Sequence, residues 1–150
     1  MIRARPTTAD MVVFVVANLT NAMMVLLFTA RAFRVQKWDA PLGLVVCAFG
    51  LPLIAAWVVN LLQHRPWWAI ALPLPLVLYM FCELLLDYVF KIEFRQTAWI
   101  SPYLCLYYLG LLGVTGYSFA MGKWYGCWTL CTYFANLLAG WYSYTRVGHG

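Results

Sequence analysis

Charge is what this sequence has least of. Ten Lys and Arg and five Asp and Glu among 150 residues make 10% charged, where a soluble globular domain carries about 25%. Such a chain lacks the polar surface needed to face water on every side. Histidine is equally scarce, with His64 in a loop and His149 in the tail. Neither lies within an apolar run, so a bis-histidine haem and an imidazole-rich metal site are both excluded. No HExxH, GxSxG or phosphate-binding loop occurs, which removes the hydrolases and nucleotide enzymes that depend on them. The five cysteines, Cys47, Cys82, Cys105, Cys127 and Cys131, form no CxxC. They fall in apolar runs and behave there as small apolar residues, so neither a disulfide framework nor a thiol-redox motif is supported. The basic residues are scattered; the densest set, Arg31, Arg34 and Lys37, is a cytoplasmic flank rather than a nucleic-acid patch. No metal is implied, and the sequence identifies no cofactor.

What remains is greasy. The chain is 65% hydrophobic and 18% aromatic, and a membrane-crossing helix needs about 20 apolar residues. The expected fold is an all-α integral membrane protein, a single membrane domain built as a compact bundle of five spans. They run over about 9–30, 42–62, 69–90, 100–121 and 127–144. The fifth is short and rich in Tyr and Thr, so four spans plus an interfacial helix is the alternative. Arg3 and Arg5 precede the run from Met11 to Phe28, which exceeds the about 7–15 residues of a cleaved signal's core and reads as the first span. No internal repeat is visible.

Helix punctuation falls between the runs. Asp39-Ala40-Pro41 and Ser101-Pro102 offer caps and early prolines to the second and fourth spans. Gly122 and Gly126 bracket a turn before the fifth. Pro52 should kink the second span, and Pro73 and Pro75 should disturb the start of the third. Trp38, Trp67, Trp68, Trp99, Trp124, Trp141 and Tyr144 lie near span ends, as an aromatic belt does, whereas Trp57 sits deeper. Arg31, Arg34, Lys37, Lys91, Arg95 and Arg146 fall on one side, and Arg3, Arg5, Arg65 and Lys123 on the other. The larger set belongs in the cytoplasm, with the N-terminus outside.

One stretch carries the chemistry. In Cys82-Glu-Leu-Leu-Leu-Asp-Tyr-Val-Phe-Lys91, three ionisable residues stand four apart. With Lys91 at the interface, Asp87 lies about 6 Å and Glu83 about 12 Å inside the membrane, whose half-thickness is about 15 Å. Asp87 and Lys91 form a favourable i,i+4 pair, an interfacial salt bridge at a helix end. Glu83 needs another account, because an intramembrane carboxyl faces the bundle interior or a cavity. Asn21, Tyr107 or Tyr108, and Asn136 lie at comparable depth, with Asn18 and Thr20 close by. Together they make a polar layer able to hold an ion or small molecule, or to bind the helices together.

Two small-residue stripes promise close packing: Gly110, Gly113 and Gly116, and Cys127, Cys131, Ala135 and Ala139. They predict tight contact between spans four and five, or across a homo-oligomer. The functional expectation is transport or ligand binding at the layer around Glu83. An accessory subunit bound to other membrane subunits is the alternative, and a lipid-modifying enzyme using Glu83, Asp87 and tyrosines a lesser one.

Overall fold

In the computed structural model, residues 6–92 and 97–147 are described, less the side chain of Gln36. Arg3, Arg5, Arg95 and His149 lie outside the described residues. Among the described residues seven α-helices follow in order: α1 Thr8–Ala32, α2 Asp39–Ala48, α3 Gly50–Leu62, α4 Trp67–Ala71, α5 Leu74–Glu83, α6 Ile100–Met121 and α7 Lys123–Val147. A π-helical segment, Leu84–Val89, prolongs α5, and no strand occurs among the described residues. Taken as continuous rods, Thr8–Ala32, Asp39–Leu62, Trp67–Val89 and Ile100–Met121 are long and apolar enough to cross a membrane.

The fold is an inside-out arrangement of polarity. Val15, Leu19, Leu26, Leu78, Leu109, Leu112, Phe134 and Leu138 face outward, while Asn21, Asn60, Glu83, Thr129 and Asn136 are buried. That surface fits a lipid bilayer and no aqueous solvent. Trp67, Trp99 and Trp124 stand exposed at the helix ends, where an indole can meet headgroups.

Helix α7 has the length of a span but less apolar character, and its neighbours explain why. Phe14 meets Tyr125, Asn18 meets Thr129, Asn21 meets Asn136, and Phe28 packs on Gly140. Residue numbers rise together in both helices, so α1 and α7 run side by side in the same direction. Polar residues of α7 are therefore spent on α1, and Trp128, Phe134 and Leu138 are left outside. The helix lies lengthwise beside α1 rather than across the end of the bundle, though it is not among the four helices apolar enough to cross a membrane. It begins at Lys123, because the link from α6 is the single residue Gly122. Gly126 is not a turn residue but a contact inside α7, where a Cβ would collide with the Phe119 ring.

Proline shapes the second and third spans. Pro52 removes the N–H that the Ala48 carbonyl would receive, and the helix breaks at Phe49 between α2 and α3. Pro73 likewise strands the Ala69 carbonyl, which takes Asn60 Nδ2 at 3.4 Å. At the same break Trp57 Nε1 donates to the Ile70 carbonyl at 2.9 Å. A broken helix survives in lipid only when its freed groups are met in this way. Neither expected N-cap forms. Asp39 and Ser101 lie inside α2 and α6, whose caps are Trp38 and Trp99 without side-chain bonds. Short turns upstream start both helices early, and Pro41 and Pro102 fall in first turns, where an N–H is spare anyway.

The glycine stripe of α6 meets the third span, not the fifth. A Cβ on Gly110 would lie 2.8 Å from Leu76 Cα, and one on Gly113 would collide with the Leu72 carbonyl oxygen. At Gly116 the nearest atom is Leu72 Cδ1 at 3.7 Å, an ordinary contact. Gly113→Ala should therefore cost about 1–3 kcal/mol by overpacking. Gly116→Ala should be neutral or gain a few tenths of a kcal/mol from helix propensity. Thermal unfolding of the two variants in one detergent checks the contrast.

Candidate functional site

Polar side chains gather in two clusters and a cavity. The first cluster lies at the end of the bundle where α1 begins. Thr7 and Asp10 form a capping box, with Thr7 N–H donating to Asp10 Oδ2 at 2.8 Å and Asp10 N–H to Thr7 Oγ1 at 3.2 Å. Asp10 is buried, and its carboxylate also accepts from Tyr117 Oη at 2.7 Å and from Arg65 at 3.0 Å. The delivery of Arg65 is local geometry. After α3 the chain closes a Schellman turn, His64 N–H to the Leu61 carbonyl and Arg65 N–H to the Asn60 carbonyl. His64 takes the left-handed conformation, φ 50°, usually left to glycine. Asn60 completes the cluster by donating to Tyr117 Oη at 3.0 Å. A T-x-x-D pattern ahead of an apolar run was the available signal for Asp10; nothing local marks Arg65 as its partner.

The second cluster is a ladder through the middle of the bundle. Thr129 Oγ1 donates to Ser118 Oγ at 3.0 Å and accepts from Asn18 Nδ2 at 3.1 Å. Thr132 Oγ1 donates to Asn18 Oδ1 at 2.8 Å and accepts from Asn21 Nδ2 at 3.1 Å. Asn136 Nδ2 donates to Asn21 Oδ1 at 3.0 Å, and Tyr107 Oη donates to Asn136 Oδ1 at 3.0 Å. Asn21, Asn136 and Tyr107, expected at one depth, are thus joined directly. Asn18, Thr129, Thr132 and Ser118 extend the ladder by roughly two turns. Its members sit on α1, α6 and α7, so each amide has a partner on another helix.

The third feature is a cavity of about 1170 Å³ at the other end. Its walls come from α1, α2, α5 with the π segment, α6 and α7, and they include Glu83, Asp87, Lys91, Tyr79, Tyr107 and Tyr108. Glu83 is 6% exposed and lies at the deep end, whereas Lys91 and Trp141 are exposed at the mouth. Tyr107 is the shared member, lining the cavity and bonding through its hydroxyl to Asn136. Tyr108 contributes a wall, its ring 5.0 Å from that of Tyr107.

The π segment begins at the residue after Glu83. Phe90 N–H reaches back to the Leu85 carbonyl at 2.8 Å, and Ile92 N–H to that of Leu86 at 2.9 Å. Lys91 is left-handed, φ 52°, so the helix has ended before it. The three ionisable residues therefore do not stand on one regular α-helical face, yet all three line the cavity. Arg31 pairs with Asp39 at 3.2 Å and Arg65 with Asp10 at 3.0 Å. Wide turns of this kind concentrate at functional sites. Tyr88, within the segment, donates to the Ala40 carbonyl at 2.9 Å. Gly43 makes room for it, since a Cβ there would collide with the Tyr88 hydroxyl.

The stripe on α7 points away from all this. Cys127, Cys131 and Ala135 are exposed, and Ala139 is half-buried. The face that packs within the protomer carries Gly126, Thr129, Tyr133, Asn136 and Ser143 instead. Among the described residues no group of three His, Cys, Asp or Glu could hold a metal ion. No protein-family model, curated protein or solved structure matches the chain.

The ladder makes a measurable claim. Asn136→Leu and Asn21→Leu should each destabilise the bundle by about 1–2 kcal/mol, the upper range for interhelical hydrogen bonds in membranes. Because they share one hydrogen bond, the double variant should lose less than the two losses together. Denaturant unfolding in mixed micelles measures this cycle.

Proposed function

We propose that the protein binds and carries a small molecule across the membrane, with Glu83 at the centre of the binding site. The observation that carries this is the cavity, with a buried carboxyl at its deep end and an exposed mouth. A volume of about 1170 Å³ lies just above the range of pockets that enclose whole small molecules, about 300–1,000 Å³. A carboxyl at this depth is expensive to maintain, and the ladder already supplies interhelical hydrogen bonds without it. The mouth belongs in the cytoplasm, because Arg31, Arg34, Lys37, Lys91 and Arg146 cluster at that end. Protein purified in mild detergent should retain a small molecule, detected by native mass spectrometry. Leu104→Trp, which fills the cavity from its exposed wall, and Glu83→Gln should both abolish retention while the melting temperature holds. Retention equal to the unmodified protein's in both variants rules the reading out.

The outward stripe of α7 favours a second reading, in which the chain also associates through that helix with a second copy or another subunit. Small residues let helix backbones approach closely, and nothing within the protomer uses Cys127, Cys131 and Ala135 for that purpose. Ala135→Leu should shift the protein from dimer to monomer in bilayers, read by energy transfer between labelled copies. A monomer before substitution removes self-association.

A further inference from the structure

We propose that the cavity takes a membrane lipid, whose hydrocarbon tail enters sideways between α6 and α7. This rests on the reading that the cavity is the ligand site, and names what enters it and from where. The five walls meet at five seams, and four of these are bridged. Arg31 Nε reaches Asp39 at 3.2 Å and joins α1 to α2. Tyr88, in the space left by Gly43, bonds the Ala40 carbonyl and joins the π segment to α2. Tyr103 Oη donates to Tyr79 Oη at 3.2 Å, between α6 and α5. The Phe28 ring packs against Gly140, between α1 and α7.

The fifth seam, between α6 and α7, is joined at its deep end and parts beyond it. Ser118 meets Thr129, and Tyr107 meets Asn136. From Ser118 the same stripe of α6 runs through Thr115, Leu111, Tyr108 and Leu104, three and four residues apart. Thr115 and Leu111 are buried, Tyr108 is half-buried, and Leu104 is 41% exposed although it lines the cavity. Counting from those contacts along the antiparallel pair brings Leu104 level with Trp141, which is 66% exposed and lines the same cavity. A residue that lines a cavity and is itself exposed stands on the edge of an opening. Depth decides what lies outside that edge. Leu104 is five residues inward of the exposed Trp99, and Trp141 five inward of Arg146. Each is thus about 7.5 Å from the interface, within a hydrocarbon half-thickness of about 15 Å. The opening faces lipid tails. Inside, apolar side chains come from α1, α6 and α7, among them Met24, Leu27 and Leu137, while Asp39, Glu83, Asp87 and Lys91 stand on α2 and the third span. A molecule with a hydrocarbon tail and a polar head meets both kinds of wall.

The test places the full-length protein in phosphatidylcholine nanodiscs doped with a phosphatidylcholine that carries a photoactivatable diazirine late in one acyl chain. After illumination, labelled residues are mapped by peptide mass spectrometry. Met24 and Leu27 line the cavity and are buried from surrounding lipid, so label on them reports a tail inside. Leu109 and Leu112, exposed on α6, report the surrounding lipid and serve as reference. The unmodified protein should carry label at both pairs. Leu104→Trp, a larger side chain at the edge, should lower the inner label about tenfold against the reference. Trp141→Ala, which widens the opening, should raise it, and decides the route where Leu104→Trp does not fold. Inner label that neither variant moves overturns entry between α6 and α7. Reference label with Met24 and Leu27 bare overturns the lipid. A different small molecule retained by the purified protein then leaves the cavity reading standing, and retention of nothing removes that reading as well.

Discussion

An amide in hydrocarbon must find a partner, and in this protein the partners of α1 are on α7. Asn18 and Asn21 reach Thr129, Thr132 and Asn136 across the same interface. Because both helices run in one direction, the polar residues stay in step along the contact. Much of the fold depends on this pairing. It lets a helix as polar as α7 lie within an apolar bundle, and it leaves α6 to divide its faces between α7 and the broken third span. It also engages the Tyr107 hydroxyl, which bonds to Asn136.

The two ends of the bundle use ionisable residues in opposite ways. Around Asp10 the geometry is closed: Arg65, Tyr117 and the Thr7 N–H converge on one buried carboxylate. Around Glu83 it is open, with a wide helical turn, a glycine that admits Tyr88, and a mouth edged by exposed aromatic and basic residues. The proline break at Pro73 occurs near the closed end and is sealed by Asn60 and Trp57. The π turn occurs at the open end. Rigid packing and empty space are thus separated along the length of the bundle.

Much of this was legible in the residues. The helical class, the helix positions to within about four residues, the proline breaks in the second and third runs, and the meeting of Asn21, Tyr107 and Asn136 all follow from composition and spacing. What could not be read was direction of facing. A stripe such as Cys127, Cys131 and Ala135 has the same spacing whether it looks into the bundle or out to lipid, and only Thr129, Thr132 and Asn136 on the opposite face decide it. The glycines of α6 announced a close approach without naming the partner. The pairing of Asp10 with Arg65 spans 55 positions and depends on a left-handed His64, a conformation uncommon for any residue but glycine. The π turn replaced the regular spacing from which the charge ladder was drawn.

The parallel contact of the first and last helices has a consequence for biogenesis. Asn21 and its acceptor Thr132 are 111 positions apart. At translation rates of about 5–20 residues per second, α1 enters the bilayer on the order of ten seconds before α7 exists. During that interval the amides of Asn18 and Asn21 have neither water nor their final partners. The hydropathy of the rest of α1 must carry the insertion. Assembly ends where it began, when the last helix closes on the first.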